Sequence, residues 1–267
     1  MCQECGCGSG GGDVKIGGHA HEHKHHHGQE HGHEHHDHGH THSHSHGVKT
    51  LDLNRSLMEK NALLAERNRG FFRAKKLLVL NVVSSPGSGK TTFIRETAAK
   101  LTGKLRVGVI VGDLATDNDA ARLRTAGIPV IQITTGTVCH LDADMVSKAA
   151  AQLDLDKLDV LVIENVGNLV CPADYDLGED LRVVLLSTTE GEDKPLKYPP
   201  MFHSANIAVI TKSDMAVAAG FNRDLALINL QRVSHHAKIF ELSAKTGDGM
   251  KAWLDYLAEQ NAAAKRK

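Results

Sequence analysis

Seven short runs rich in valine, isoleucine and leucine recur between Leu77 and Ser243, each separated from the next by a stretch of helical character. They read "LLVLNVVS", "LRVGVIVG", "PVIQIT", "LDVLVIEN", "LRVVLLST", "ANIAVIT" and "KIFELS". Their nearly continuous apolar character is that of strands buried on both faces, and the helices between them imply right-handed crossovers. The pattern predicts an α/β domain over residues 77–267, a mainly parallel sheet of roughly seven strands flanked by helices. Ligands of such a sheet bind beyond the carboxyl ends of its strands.

The first of those ends carries "SSPGSGKTT", Ser84 to Thr92, where a strand turns into a helix. It matches the phosphate-binding pattern G-x-x-x-x-G-K-[ST] at Gly89, Lys90 and Thr91, with Ser84 at the first glycine position. Gly87, Ser88 and Gly89 can turn backbone N–H groups toward phosphate oxygens, aided by the helix dipole and the Lys90 charge. Thr91 is placed to hold a magnesium ion, and Thr92 lies in the same first turn.

Further motifs follow later strands. Glu164 closes "LDVLVIE" and begins E-x-x-G, so Gly167 is expected to sense a terminal phosphate and Glu164 to join the magnesium shell. "TKSD" resembles the guanine-reading N-K-x-D, with Asp214 accepting from the guanine N–H groups and Lys212 covering the base. "SAK", Ser243, Ala244 and Lys245, follows the last strand as a backbone clamp on the guanine carbonyl. Together these favour GTP over ATP. In "VGDLATDNDAARL", Asp113 is the preferred second acid of the magnesium shell, while Asp117 and Asp119 precede a helix and read as caps.

Upstream of the domain the composition changes twice. Residues 1–18 hold Cys2, Cys5 and Cys7 among glycines, and residues 19–47 hold fifteen of the chain's 19 histidines among Gly, Glu and Asp. Neither segment has the aliphatic residues to pack a core, so both are expected to be disordered without metal. Three thiolates in a flexible segment can hold nickel, with the terminal amine or a backbone nitrogen as a fourth donor, or zinc, with a downstream histidine as the fourth ligand. The histidine tract, neutral at pH 7 and cationic below about pH 6, reads as a metal store. In residues 48–76, leucines at helical spacing predict a helix and linker, with Asp52 or Asn54 as its cap.

A second thiol and imidazole set lies in the domain: Cys139 and His140 ahead of "LDADMVSKAA", and Cys171 seven residues beyond Glu164. Thiolate and imidazole suit zinc in tetrahedral and nickel in square-planar geometry. A formal charge of -1 over 267 residues leaves no footprint for nucleic acid. No stretch approaches the roughly 20 apolar residues of a membrane span, and the N-terminus lacks the apolar core of a signal peptide. A cytoplasmic protein with reduced thiols is expected.

Taken together, "SSPGSGKTT", "GDLATDNDAAR", "TTGTVCHLDADMV", "IENVGNLVCPA", "TKSD", the opening Cys-x-x-Cys-x-Cys and the histidine tract resemble the HypB family of nickel-inserting GTPases. The resemblance implies a GTP-dependent homodimer that delivers Ni2+ for [NiFe]-hydrogenase maturation. Its implied partners are a HypA-type nickel-binding accessory protein and the hydrogenase large-subunit precursor, and its implied cofactors are GTP, Mg2+, Ni2+ and Zn2+. A urease-type accessory GTPase resembles a Cys-Pro-His signature, where this chain has Cys171-Pro172-Ala173. A nickel store with a regulatory GTPase domain is the remaining alternative.

Overall fold

The computed structural model describes residues 15–16 and 46–266, with side chains from residue 55 onward. In chain order the elements are β1 (Lys15–Ile16), α1 (His46–Ala74), β2 (Leu78–Val83), α2 (Lys90–Leu101), β3 (Val107–Asp113), α3 (Asn118–Thr125), β4 (Val130–Thr134) and α4 (Ala143–Ala150). There follow β5 (Val160–Glu164), β6 (Leu181–Ser187), α5 (Lys194–Lys197), α6 (Pro199–His203), β7 (Ile207–Thr211), α7 (Arg223–Val233), β8 (Lys238–Glu241) and α8 (Met250–Ala264).

The sheet runs β1-β4-β3-β5-β2-β6-β7-β8. The seven strands from β2 to β8 pair in parallel, as their apolar runs require, and two-residue β1 adds an antiparallel edge beside β4. Alternation of side chains along each strand divides the core between the two faces. Leu78, Leu80 and Val82 of β2 point toward Phe93 and Ile94 of α2 and toward Trp253 and Leu257 of α8. Val79, with Ile110, Leu161 and Ile163, packs against Phe72 of α1 and Met145, Val146 and Ala149 of α4. A third cluster joins Val184, Leu186, Ala208 and Ile210 to Phe202 of α6 and Leu230 of α7.

The expected N-terminal helix forms, but it begins earlier, at His46, so that Asp52 and Asn54 lie within it instead of capping it. Its leucine spacing marked the helix but not its start. Buried amides fix it to the domain: Asn68 donates to the carbonyls of Ala143 at 2.8 Å and Leu177 at 3.1 Å. Asn61 donates to the Asp176 carbonyl and accepts from the Ala143 N–H.

Candidate functional site

The carboxyl ends of β2, β5 and β7 gather the phosphate-loop and base-reading motifs. Gly87 and Gly89 take φ of 76° and 96°, the left-handed region open to glycine, and Gly89 caps α2. Ser84 lies outside that region, so a Cβ is tolerated where the pattern has glycine. Its hydroxyl is fully buried, donates to the Ser85 carbonyl at 2.8 Å, and accepts from Ser88 Oγ and from Lys90 Nζ at 3.1 Å. The serine thus braces the loop from inside.

Thr91 Oγ1 donates to Glu164 Oε1 at 2.7 Å. Glu164 Oε2 is buried and accepts no hydrogen bond from any described residue. Burial pushes the Glu164 carboxyl up to about 7, against the opposing pull of Lys90 and Thr91. Burial likewise draws the Lys90 ammonium below its ordinary value, with Glu164 opposing. A buried carboxylate oxygen with no donor, beside a threonine hydroxyl, fits a hard divalent cation such as Mg2+. Asp113 ends β3, but its Oδ1 is engaged by the N–H groups of Ala115 and Thr116, both at 3.0 Å. Asp117 stands at the N-cap of α3 without the expected capping bond and lies 4.0 Å from Arg124, too far to anchor the helix end. Asp119, in the first turn, pairs with Arg122 at 3.0 Å.

A cleft of about 570 Å³, open to solvent, adjoins the phosphate loop and is lined by Thr92, Phe93, Lys212, Asp214, Ser243 and Lys245 among others. Thr211, at the position of the asparagine in N-K-x-D, is buried and donates to the Ser88 carbonyl at 3.1 Å. Lys212 holds φ at 56° and donates to the Gly87 carbonyl at 2.8 Å, so both residues tie the end of β7 to the phosphate loop. Asp214 is exposed, and its carboxylate accepts no hydrogen bond from a described residue. Ser243 Oγ accepts from the N–H groups of Lys245 and Thr246, shaping the turn that contains Ala244.

Cys139, His140 and Cys171 converge: their ligand atoms lie within 4.8 Å of one another, and the Cys139 and Cys171 thiols are 2.9 Å apart. His140 is buried against the Tyr175 ring at 3.9 Å, and its Nδ1 has no hydrogen-bond partner among the described residues. Burial lowers its pKa, which keeps the imidazole neutral and able to ligate. The Asp142 side chain accepts from the Met145 N–H and starts α4 just beyond. Cys2, Cys5, Cys7 and residues 19–45 lie outside the described residues.

One loop joins the two constellations. Gly167 packs on Pro86 of the phosphate loop, and Asn168 donates to the Cys139 carbonyl at 3.3 Å while its Oδ1 receives the Val170 N–H. Asn165, fully buried, accepts from the Leu141 N–H at 3.2 Å and donates to Asn81 on β2, which donates in turn to Glu179. The motif reading missed these asparagines, and it also missed Glu190 and Lys194. Lys194 reaches Ser85 Oγ at 3.5 Å, and Glu190 is pushed up by burial against the pull of Lys194 and Lys212. Among the described residues no helix is long and apolar enough to cross a membrane.

Residues 78–241 match the CobW/HypB/UreG nucleotide-binding domain family. The chain is 49% identical over 215 residues to the hydrogenase maturation factor HypB of Escherichia coli K12, covering 80% of this chain and 74% of that protein. Its fold is similar to the crystal structure of HypB from Helicobacter pylori in complex with nickel, with a TM-score of 0.73 and 41% identity across 76% of this chain and 96% of that one. HypB from Archaeoglobus fulgidus gives a TM-score of 0.71 and 38% identity across 76% of this chain and 99% of that one.

Proposed function

The chain belongs to the HypB group of the CobW/HypB/UreG nucleotide-binding family, and we propose that it is a GTP-hydrolysing nickel chaperone acting in [NiFe]-hydrogenase maturation. The observation that carries this reading is the loop from Glu164 to Cys171. One end supplies a carboxylate to the phosphate loop through Thr91, and the other supplies a thiol to the Cys139–His140 pair.

In this reading Thr91 and Glu164 would hold Mg2+, with Asp113, whose Oδ1 serves the backbone, as the second acid of the site. Magnesium, when bound, neutralises charge on the nucleotide phosphates. Lys90 and the N–H groups of Gly87, Ser88, Gly89 and Thr92 cradle those phosphates, while Asp214, Lys212 and the Ser243–Ala244–Lys245 turn select guanine. Gly167, packed on Pro86 of the phosphate loop, reports the terminal phosphate in this reading. Movement there shifts Asn168 and Cys171 relative to Cys139 and His140, so nucleotide state sets the geometry of the cargo site. Nickel is the cargo, and zinc competes for the same two thiolates and imidazole.

The same proposal includes a GTP-dependent homodimer in the cytoplasm, handing nickel between a HypA-type protein and the hydrogenase large-subunit precursor. The thiols of Cys2, Cys5 and Cys7 and the histidines of residues 19–47 serve as a high-affinity site and a store. The test is a nickel titration of the full chain carrying Cys2→Ser, Cys5→Ser and Cys7→Ser, followed by thiolate-to-nickel absorption. Affinity or spectrum is expected to differ between GDP and a non-hydrolysable GTP analogue. Identical curves with both nucleotides remove the coupling.

A further inference from the structure

We propose that His203, His235 and His236 form a third metal site, a surface cluster that takes a divalent borderline cation, Ni2+ or Zn2+. It lies apart from the groups described above. His203 ends α6 ahead of β7, and His235 and His236 precede β8, so the cluster sits at the amino ends of these strands. The nucleotide and thiol groups gather at the opposite, carboxyl ends.

The backbone builds the cluster. Ser234 ends α7 with its N–H bonded to the Leu230 carbonyl at 2.7 Å, and its own carbonyl receives the Ala237 N–H at 3.0 Å. That bond closes a four-residue turn with His235 and His236 at its two central positions. His203 comes from the neighbouring helix. The His203 and His236 rings stand edge to face with centres 5.5 Å apart, and the His235 and His236 rings do the same at 5.5 Å. All three are exposed.

Two features favour a cation over a merely solvated group of imidazoles. His203 Nδ1 lies 3.2 Å from the Val233 carbonyl. A carbonyl only accepts, so Nδ1 carries the proton and Nε2 presents a lone pair, as in most metal-ligating histidines. The carbonyl end of α7, an 11-residue helix, also faces this turn, and the partial negative charge of a helix C-terminus attracts a cation.

With metal–nitrogen bonds of about 2.0–2.1 Å, two imidazoles on one ion have ring centres about 4.5–6 Å apart. The His203–His236 and His235–His236 spacings fall inside that range, so His236 is the ligand common to both pairs. Among the described residues only Cys139, His140 and Cys171 bring three ligand atoms within 4.8 Å. The histidine cluster therefore closes on its ion by side-chain rotation, which costs little for exposed rings. Imidazole donors without a carboxylate select transition metals over Mg2+ or Ca2+, and water completes the coordination.

The test is acylation of the full chain with diethyl pyrocarbonate, read residue by residue by peptide mass spectrometry at buffered free Ni2+ and, separately, Zn2+. At free metal tenfold above the dissociation constant, modification of His203 and His236 is expected to fall about tenfold. In His236→Ala, protection of His203 should disappear at the same free metal while His140 remains protected, showing that the fold and the thiol site persist. Equal modification of His203 and His236 with and without either metal overturns the proposal. So does protection of His203 that survives in His236→Ala, because the imidazoles would then not share an ion.

Discussion

Gly167 lies against Pro86 so closely that a Cβ on Gly167 would stand 3.1 Å from the Pro86 Cα and 3.2 Å from its ring. The neighbouring atoms are backbone and a rigid ring, so neither side can yield by rotating a side chain. Gly167→Ala is expected to push the Glu164–Cys171 loop off the phosphate loop. Affinity for a non-hydrolysable GTP analogue, measured by calorimetry, should fall roughly tenfold, or about 1.4 kcal/mol. GDP affinity should change less, since in the proposed pose this loop meets only the terminal phosphate. Equal losses for the two nucleotides would mean that Gly167 serves packing alone.

Lys90 offers a contrast between activity and stability. Its side chain is half-buried, and burial lowers the pKa of its ammonium. Lys90→Ala should cut GTP hydrolysis by about a hundredfold or more, the scale on which a preorganised charge acts in a dry site. In the absence of nucleotide the same substitution removes the cost of burying a charge, so the melting temperature should hold or rise. Thermal scans of the nucleotide-free protein beside turnover assays check both directions.

In the proposed reading, specificity for the base turns on Asp214. Its exposed carboxylate accepts from two N–H groups of guanine in the proposed pose. Asp214→Asn replaces one acceptor with a donor that faces the guanine amino group. Guanine nucleotides should bind about 10- to 100-fold more weakly, the cost of a lost hydrogen bond to a charged group. Xanthine nucleotides, which carry an oxygen at that position, should gain relative to guanine in direct competition.

How much of this was legible in the sequence depends on how local the cause is. The phosphate loop was, because Gly87, Gly89, Lys90 and Thr91 act within one strand-to-helix turn. The convergence of Cys171 with Cys139 and His140 followed from the family resemblance, since proximity across 32 residues leaves no mark in spacing. The network through Asn81, Asn165 and Glu179 was not legible. Asn81 and Glu179 stand 98 residues apart, and a polar residue inside an apolar run carries no sign of its partner. Lys194 and Glu190 escaped because they lie in single helical turns between β6 and α6, Lys194 at the start of four-residue α5, too short for a periodicity that points a side chain.

Asp159 is one place where acid should loosen the fold. Its carboxylate accepts from Arg106 Nε at 2.9 Å, from the Arg106 N–H at 2.8 Å and from Lys265 Nζ at 2.7 Å, while its carbonyl receives Asn261 Nδ2. These bonds tie the start of β3 and the end of α8 to β5. The Arg106 hydrogen bonds, followed by Lys265, hold the carboxyl well below the usual carboxylate range. A depressed folded-state pKa means that the unfolded chain takes up the proton first. The stabilisation is therefore complete above about pH 4, the ordinary aspartate value, and is lost progressively as pH falls below it. Asp159→Asn removes that dependence and leaves Arg106 and Lys265 poorly matched. Stability at pH 7 should drop by about 1–3 kcal/mol. Urea unfolding at pH 7 and pH 3 gives the check: the gap between wild type and variant should narrow at pH 3, and a gap that stays constant across the range would assign the loss to packing instead of charge.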